Sequence, residues 1–107
     1  MTKVAFDVDG TLFDNKKDGL PRAAHYHQLV NPRPVVVKKL MEHASNGDHV
    51  MVWSREGKTH ADNAVATLQI GKYVNQTSQK MPGLGVDLAY DDEPEEVSNM
   101  ATKVIKV

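Results

Sequence analysis

The chain of 107 residues is expected to fold as one α/β domain around a mainly parallel five-stranded sheet. Two observations predict this. Short apolar runs alternate with segments of helical periodicity from end to end. The length suits a single domain, and such a chain can bury a core without disulfides or metal staples. The composition agrees, being 40% hydrophobic and 25% charged, as in ordinary globular proteins.

Val4-Ala5-Phe6-Asp7-Val8 reads as a buried central strand interrupted by one acid, and Gly10 ends it. Thr11 to Pro32 has weak periodicity and scattered Gly, Pro, Asn and Asp. It reads as a long loop with a short turn of helix around Arg22 to Gln28, and loops of this length are often functional. Pro34 to Ala44 is predicted helical: Val36, Leu40 and Met41 share a face, Pro34 suits a first turn, and Asn46-Gly47 stops it. Val50 to Trp53 is the second strand. Thr59 to Gln69 is the second helix, with Ala61, Ala64, Val65 and Leu68 on one face and Gly71 as its end. Tyr73 to Asn75 is a weak third strand and Asp87 to Tyr90 a fourth, closed by Asp91-Asp92. A short helix over Pro94 to Ala101 and a strand over Lys103 to Val107 complete the chain.

Several classes are excluded or disfavoured. There are no cysteines, so disulfides, thiolate metal sites and thiol nucleophiles are absent. A net charge of −1 is no footprint for bulk nucleic-acid binding. No apolar run approaches a membrane span, so no membrane partner is expected. No signal-peptide core follows Met1-Thr2-Lys3, and a cytoplasmic location is expected.

The chemistry concentrates at strand ends. Asp7 and Asp9 lie two apart across the end of the first strand, and Gly10 lets the chain turn so that both carboxylates face one pocket. The C-terminal edge of a parallel sheet is where open α/β folds place ligands. Close carboxylates repel, and a divalent cation removes that cost. Mg²⁺ prefers oxygen ligands and keeps room for a phosphate. Asp9-Gly10 is also a common turn pair. Asp7, inside an apolar strand, would be costly to bury without a partner.

Ser54 ends the second strand, where its hydroxyl can donate to a phosphoryl oxygen or cap the following turn. Arg55 can hold a phosphate by a two-pronged contact. Asp91 and Asp92 end the fourth strand as a pair, which also suits the start of a helix. Lys80 lies in a loop from which it can neutralise a carboxylate and a phosphoryl group, with Lys72 as a competitor. Trp53 is expected in the core between sheet and helix. His43, His49 and His60 are isolated in sequence and read as surface or partly buried residues. His25 and His27 are candidates for substrate contact.

Asp7-Val8-Asp9-Gly10-Thr11-Leu12 resembles the first motif of the haloacid dehalogenase superfamily. Ser54, Lys80 and Asp91-Asp92 resemble its second, third and fourth motifs, in the family's order. The resemblance implies a Rossmann-like three-layer sandwich and a phosphatase that works through an aspartyl-phosphate. Asp7 would be the nucleophile and Asp9 the acid and base. Thr11, Ser54, Arg55 and Lys80 would hold the phosphoryl group. Asp7, Asp9 (through its carbonyl), Asp91 and Asp92 would hold Mg²⁺.

Asn31-Pro32, the following helix, Val50 to Glu56 with Gly57 and Thr59, and Leu88 to Asp92 are similar to the phosphatase half of phage-type polynucleotide kinase-phosphatases. Trp53-Ser54-Arg55 stands where that group has Ser-Gly-Arg. This implies a nucleotide or nucleic-acid terminal phosphate as substrate. Phe13 to Arg33 and Gly71 to Lys80 are too short for the family's cap domains. The site is expected to be open unless a second copy closes it as a homo-oligomer. The competing readings are a catalytically quiet scaffold of the same fold that binds metal, phosphate or a protein, and a receiver domain. The receiver would carry its paired acids after the first strand and its acceptor Asp after the third, the reverse of the order here.

Overall fold

The computed structural model describes residues 2–16 and 28–107. The elements run β1 (Lys3–Asp7), α1 (Pro34–Ser45), β2 (His49–Ser54), α2 (Lys58–Leu68), β3 (Gln76–Gln79), β4 (Val86–Asp91) and β5 (Ala101–Lys106). Short 3-10 turns occupy Gly71–Tyr73 and Pro94–Glu96. All five strands join one parallel sheet in the order β3-β2-β1-β4-β5. No helix of the described residues is long and apolar enough to cross a membrane. The turn of helix expected around Arg22 to Gln28 falls largely outside the described residues, as do His25 and His27.

β1 and β2 lie inside the sheet and are apolar on both faces, as strands covered on two sides must be. Val4, Phe6, Val50 and Val52 point to one face and pack with Val36 and Leu40 of α1 and Ala61 and Ala64 of α2. Ala5, Met51, Trp53 and Ala89 point to the other, under Leu84, Val97 and Met100. Both helices therefore lie on one face. The expected three-layer sandwich is corrected here: among the described residues the second covering layer is irregular chain, not helix. The β3–β4 link is Lys80–Gly85, too short for a helical crossover, which normally takes roughly a dozen residues or more. Extended at ~3.4 Å per residue it reaches about 20 Å, enough to run back along the sheet. Trp53 is core, as expected, but under this irregular layer rather than a helix.

Local details differ from the sequence reading for physical reasons. The third strand is Gln76–Gln79 rather than Tyr73 to Asn75. It is an edge strand held by backbone pairing to Met51–Ser54, so it needs no apolar pattern. Tyr73 lies in a 3-10 turn, and Asn75 instead accepts the Val50 N–H through Oδ1 at 2.9 Å. α2 ends on Gln69 in the left-handed conformation (φ 56°), two residues before the expected Gly71. The helix expected over Pro94 to Ala101 shrinks to a single 3-10 turn, and β5 begins at Ala101.

A polar latch fixes α1 to the sheet. His43 in its last turn bonds Asp48 through Nδ1 at 2.8 Å and the Tyr90 hydroxyl through Nε2 at 2.9 Å. Tyr90 stacks on Phe6 with ring centroids 4.7 Å apart. Leu40, fully buried between α1 and the sheet, is a measure of this packing. Leu40→Ala should lower the unfolding free energy by about 2–5 kcal/mol, read from urea midpoints at unchanged slope.

Candidate active site

The chain leaves β1 toward β2 on one side and returns to β4 on the other, so the C-terminal ends of β1 and β4 flank the point where the strand order reverses. Open α/β sheets bind ligands in this crevice. The register pairs Phe6 with Tyr90, so Asp7 and Asp91 come next, side by side. On the other flank Asp7 pairs with Trp53, and Ser54 follows. Lys80 leaves the end of β3, its N–H donating to the Ser54 carbonyl at 3.0 Å. Four strand ends thus deliver Asp7, Ser54, Lys80 and Asp91 to one place.

Lys80 is the hub. Its Nζ lies 2.9 Å from Asp7 Oδ1 and 2.9 Å from Asp91 Oδ2, with its side chain only 4% exposed. Burial works against this ammonium, but Asp7 and Asp91 outweigh it and hold the pKa above the ordinary lysine value. Lys72, the competing candidate, lies instead over the Tyr73 ring, 5.1 Å from its centroid, and lines a different cleft with Asp48 and His49. Burial raises the Asp7 carboxyl well above the ordinary carboxylate range. Lys80 opposes this, while Asp91 and Asp92 add to it. Burial also raises Asp91, against Lys80 and the Glu93 N–H that donates to its Oδ1 at 2.8 Å. Negative charge is in excess here, and a further cation would relieve it.

Oxygens of Asp7, Asp91 and Asp92 all lie within 4.8 Å of one another. An all-oxygen carboxylate set suits a hard divalent cation, so these residues fit Mg²⁺. Gly10 makes the approach of Asp92 possible. A Cβ there would stand 2.3 Å from Asp92 Oδ2, and its φ of +80° is one that side-chain-bearing residues rarely adopt.

The remaining predicted residues divide. Asp9, Ser54 and Arg55 line one narrow cleft with Asp7, Lys16, Lys80 and Glu96. Ser54 Oγ also accepts the Glu56 N–H at 3.0 Å, so it caps the turn as well as facing the cleft. Arg55 is paired with Glu96 at 2.9 Å. Thr11 departs from expectation. It is fully buried, donating to Asp7 Oδ2 at 3.1 Å and accepting the Asp92 N–H at 3.1 Å. Its hydroxyl braces two acids and is not among the groups lining the cleft. The Asp9 carboxylate lies outside the Asp7, Asp91 and Asp92 cluster.

Four contributors went unseen in the sequence. Lys16 bonds Asp92 Oδ2 at 2.8 Å. Arg33, just before α1, donates to the Gly10 carbonyl at 2.9 Å and ties the helix start to the acid loop. Asn15 donates to Asp9 Oδ1 at 2.7 Å, and His60 Nε2 lies 3.0 Å from Asp9 Oδ2. His60 had one available signal. It sits in the first turn of the helix after β2, and that turn faces the sheet edge where the acids end. No family model and no curated protein matches the chain.

Gly10→Ala should cost at least about 1–3 kcal/mol in urea unfolding, because strain at φ +80° adds to the collision with Asp92. The His60 pKa is raised from its ordinary 6.5, first by the hydrogen bond to Asp9. A raised imidazolium stabilises the fold fully below its unfolded value, and that contribution fades as pH rises through the native value. The stability difference between wild type and His60→Leu, measured in EDTA, should therefore shrink between about pH 6 and about pH 9.

Proposed function

We propose that this chain is a Mg²⁺-dependent phosphomonoesterase of the haloacid dehalogenase type, working without a cap domain through a phosphorylated Asp7. One observation carries the proposal. A single buried ammonium, Lys80 Nζ, lies 2.9 Å from both the candidate nucleophile Asp7 and the metal-site candidate Asp91. A scaffold gains nothing from so much charge in a buried crevice, since such pairs are expensive to desolvate.

Each residue has a chemical part. Lys80 and Thr11 engage one oxygen each of Asp7, which fixes the carboxylate plane and leaves it aimed for attack. An Asp7 oxygen attacks phosphorus and the ester P–O bond breaks. Asp9 gives its proton to the departing oxygen. Asp9 then takes a proton from water as that water attacks the phosphorus, and inorganic phosphate leaves with Asp7 restored. Splitting one displacement into two lowers the hardest barrier. Ser54, Arg55 and Lys80 hold the phosphoryl oxygens. Asp7, Asp91 and Asp92 would hold Mg²⁺, which when bound neutralises charge on the transferring group. Nucleotides or nucleic-acid terminal phosphates are the proposed substrates.

Purified protein with Mg²⁺ should hydrolyse p-nitrophenyl phosphate, and EDTA should stop it. No turnover of any phosphomonoester by folded, metal-loaded protein would refute the proposal. Asp7→Asn should lower kcat by at least about 10³-fold while the far-ultraviolet dichroism stays native. Mg²⁺ should raise the melting temperature of wild type and leave Asp91→Asn unmoved. A panel of nucleoside monophosphates, 3′-phosphorylated oligonucleotides and sugar phosphates decides the substrate, and preference for sugar phosphates would overturn the nucleic-acid assignment.

A further inference from the structure

Asp9 is held by two groups, Asn15 and His60. Asn15 Nδ2 donates to Oδ1 at 2.7 Å. The orientation of this amide is fixed by its other contacts. Its oxygen accepts the Gly10 N–H at 3.0 Å, and its nitrogen also donates to the Gln28 carbonyl at 2.8 Å. An amide oxygen cannot donate, so only one arrangement satisfies all three partners. Asn15 is itself 5% exposed, which makes the arrangement costly to disturb.

His60 supplies the second hold. Its Nε2 lies 3.2 Å from Asp9 Oδ1 and 3.0 Å from Oδ2, straddling the carboxylate. The first turn of α2 carries His60, and the next residue, Ala61, is fully buried against the sheet. A group mounted on a packed helix orients its partner better than one on a loop.

The two holds are unequal in a way that matters. Among the described residues, Oδ1 receives both Asn15 and His60, whereas Oδ2 receives His60 alone. Each carboxylate oxygen offers two lone pairs. Among the described residues Oδ1 is therefore filled, and Oδ2 keeps one open position on a residue that lines the cleft. We infer that His60 is the positioning residue of the acid–base step, holding Asp9 with Asn15 so that the transferable proton travels on Oδ2. This rests on the phosphatase proposal above. It assigns a role to a histidine that neither the acid motifs nor the metal cluster contains.

The effect of losing this hold depends on the leaving group. An alkoxide leaves poorly and needs its proton as the P–O bond breaks. A nitrophenolate leaves without one. General acid catalysis is worth roughly 10²–10⁴-fold where it is needed. The parameter kcat/KM reports only steps up to the first irreversible one, here departure of the leaving group, so the later use of Asp9 as a base does not blur it.

The experiment measures kcat/KM for p-nitrophenyl phosphate and for n-butyl phosphate in wild type, His60→Leu and His60→Gln, all with Mg²⁺. Leu has similar bulk to His and no donor, while Gln keeps an N–H of similar reach. The quantity read is the butyl-to-nitrophenyl ratio within one preparation, from which any difference in folded fraction cancels. His60→Leu should lower that ratio by about 10–100-fold, a part of the general acid term, and His60→Gln should restore most of it. A ratio unchanged in His60→Leu, with wild type active on both esters, overturns the inference and leaves the phosphatase proposal standing. A fallen ratio that His60→Gln does not restore also overturns it, because the donor would not be what mattered. Wild type inactive on both esters sinks the phosphatase proposal, and this inference with it.

Discussion

The ammonium of Lys80 holds the crevice together. Asp7 and Asp91 end neighbouring parallel strands, and the register sets them side by side in a region nearly closed to water. Two buried carboxylates there would repel strongly. Lys80 lies between them, 2.9 Å from each, and reaches that place from the end of the edge strand β3. Three strand ends are thereby joined through one charge. The neutralisation is incomplete, since Asp92 also converges and Lys16 meets only part of it. That surplus of negative charge is what a bound cation would offset.

The sheet topology makes the crevice available. Both helices lie on the face of Val4, Phe6, Val50 and Val52. The opposite face is closed by Leu84, Val97 and Met100 on irregular chain. The Lys80–Gly85 link contributes to both ends of this arrangement, with Lys80 in the site and Leu84 in the core. Compression of the crossover thus couples the packing of the second face to the placement of a buried charge. Arg33 makes a comparable link on the first face, joining the start of α1 to the loop that carries Asp9 and Gly10.

Some of this was legible in the chain. β1, α1, β2, α2 and β4 announce themselves by apolar runs or helical spacing, because each buries a face. β3 does not, since an edge strand held by backbone pairing needs no apolar pattern. The segment from Pro94 suggests a helix yet makes only one 3-10 turn, because Val97 and Met100 bury against the sheet from irregular chain. Asp7, Ser54, Lys80 and Asp91 stood out as polar residues at the ends of strands. Thr11 was visible too, but its burial as a brace was not.

The sequence by itself determined which side chains end the parallel strands, because a strand must be apolar where it is buried and the exceptions mark its edge. It therefore determined the acids of the crevice, the order in which they arrive and the glycine that lets Asp92 approach. Only the tertiary structure decided that Lys80 rather than Lys72 enters the crevice, that both helices share one face, and that His60 and Asn15 grip Asp9. Those outcomes depend on where distant segments meet in space, and the place of His60 in the first turn after β2 says only which sheet edge it faces, not which acid it meets. Their meeting is fixed by the packing of α2 on the sheet, a property of the assembled core.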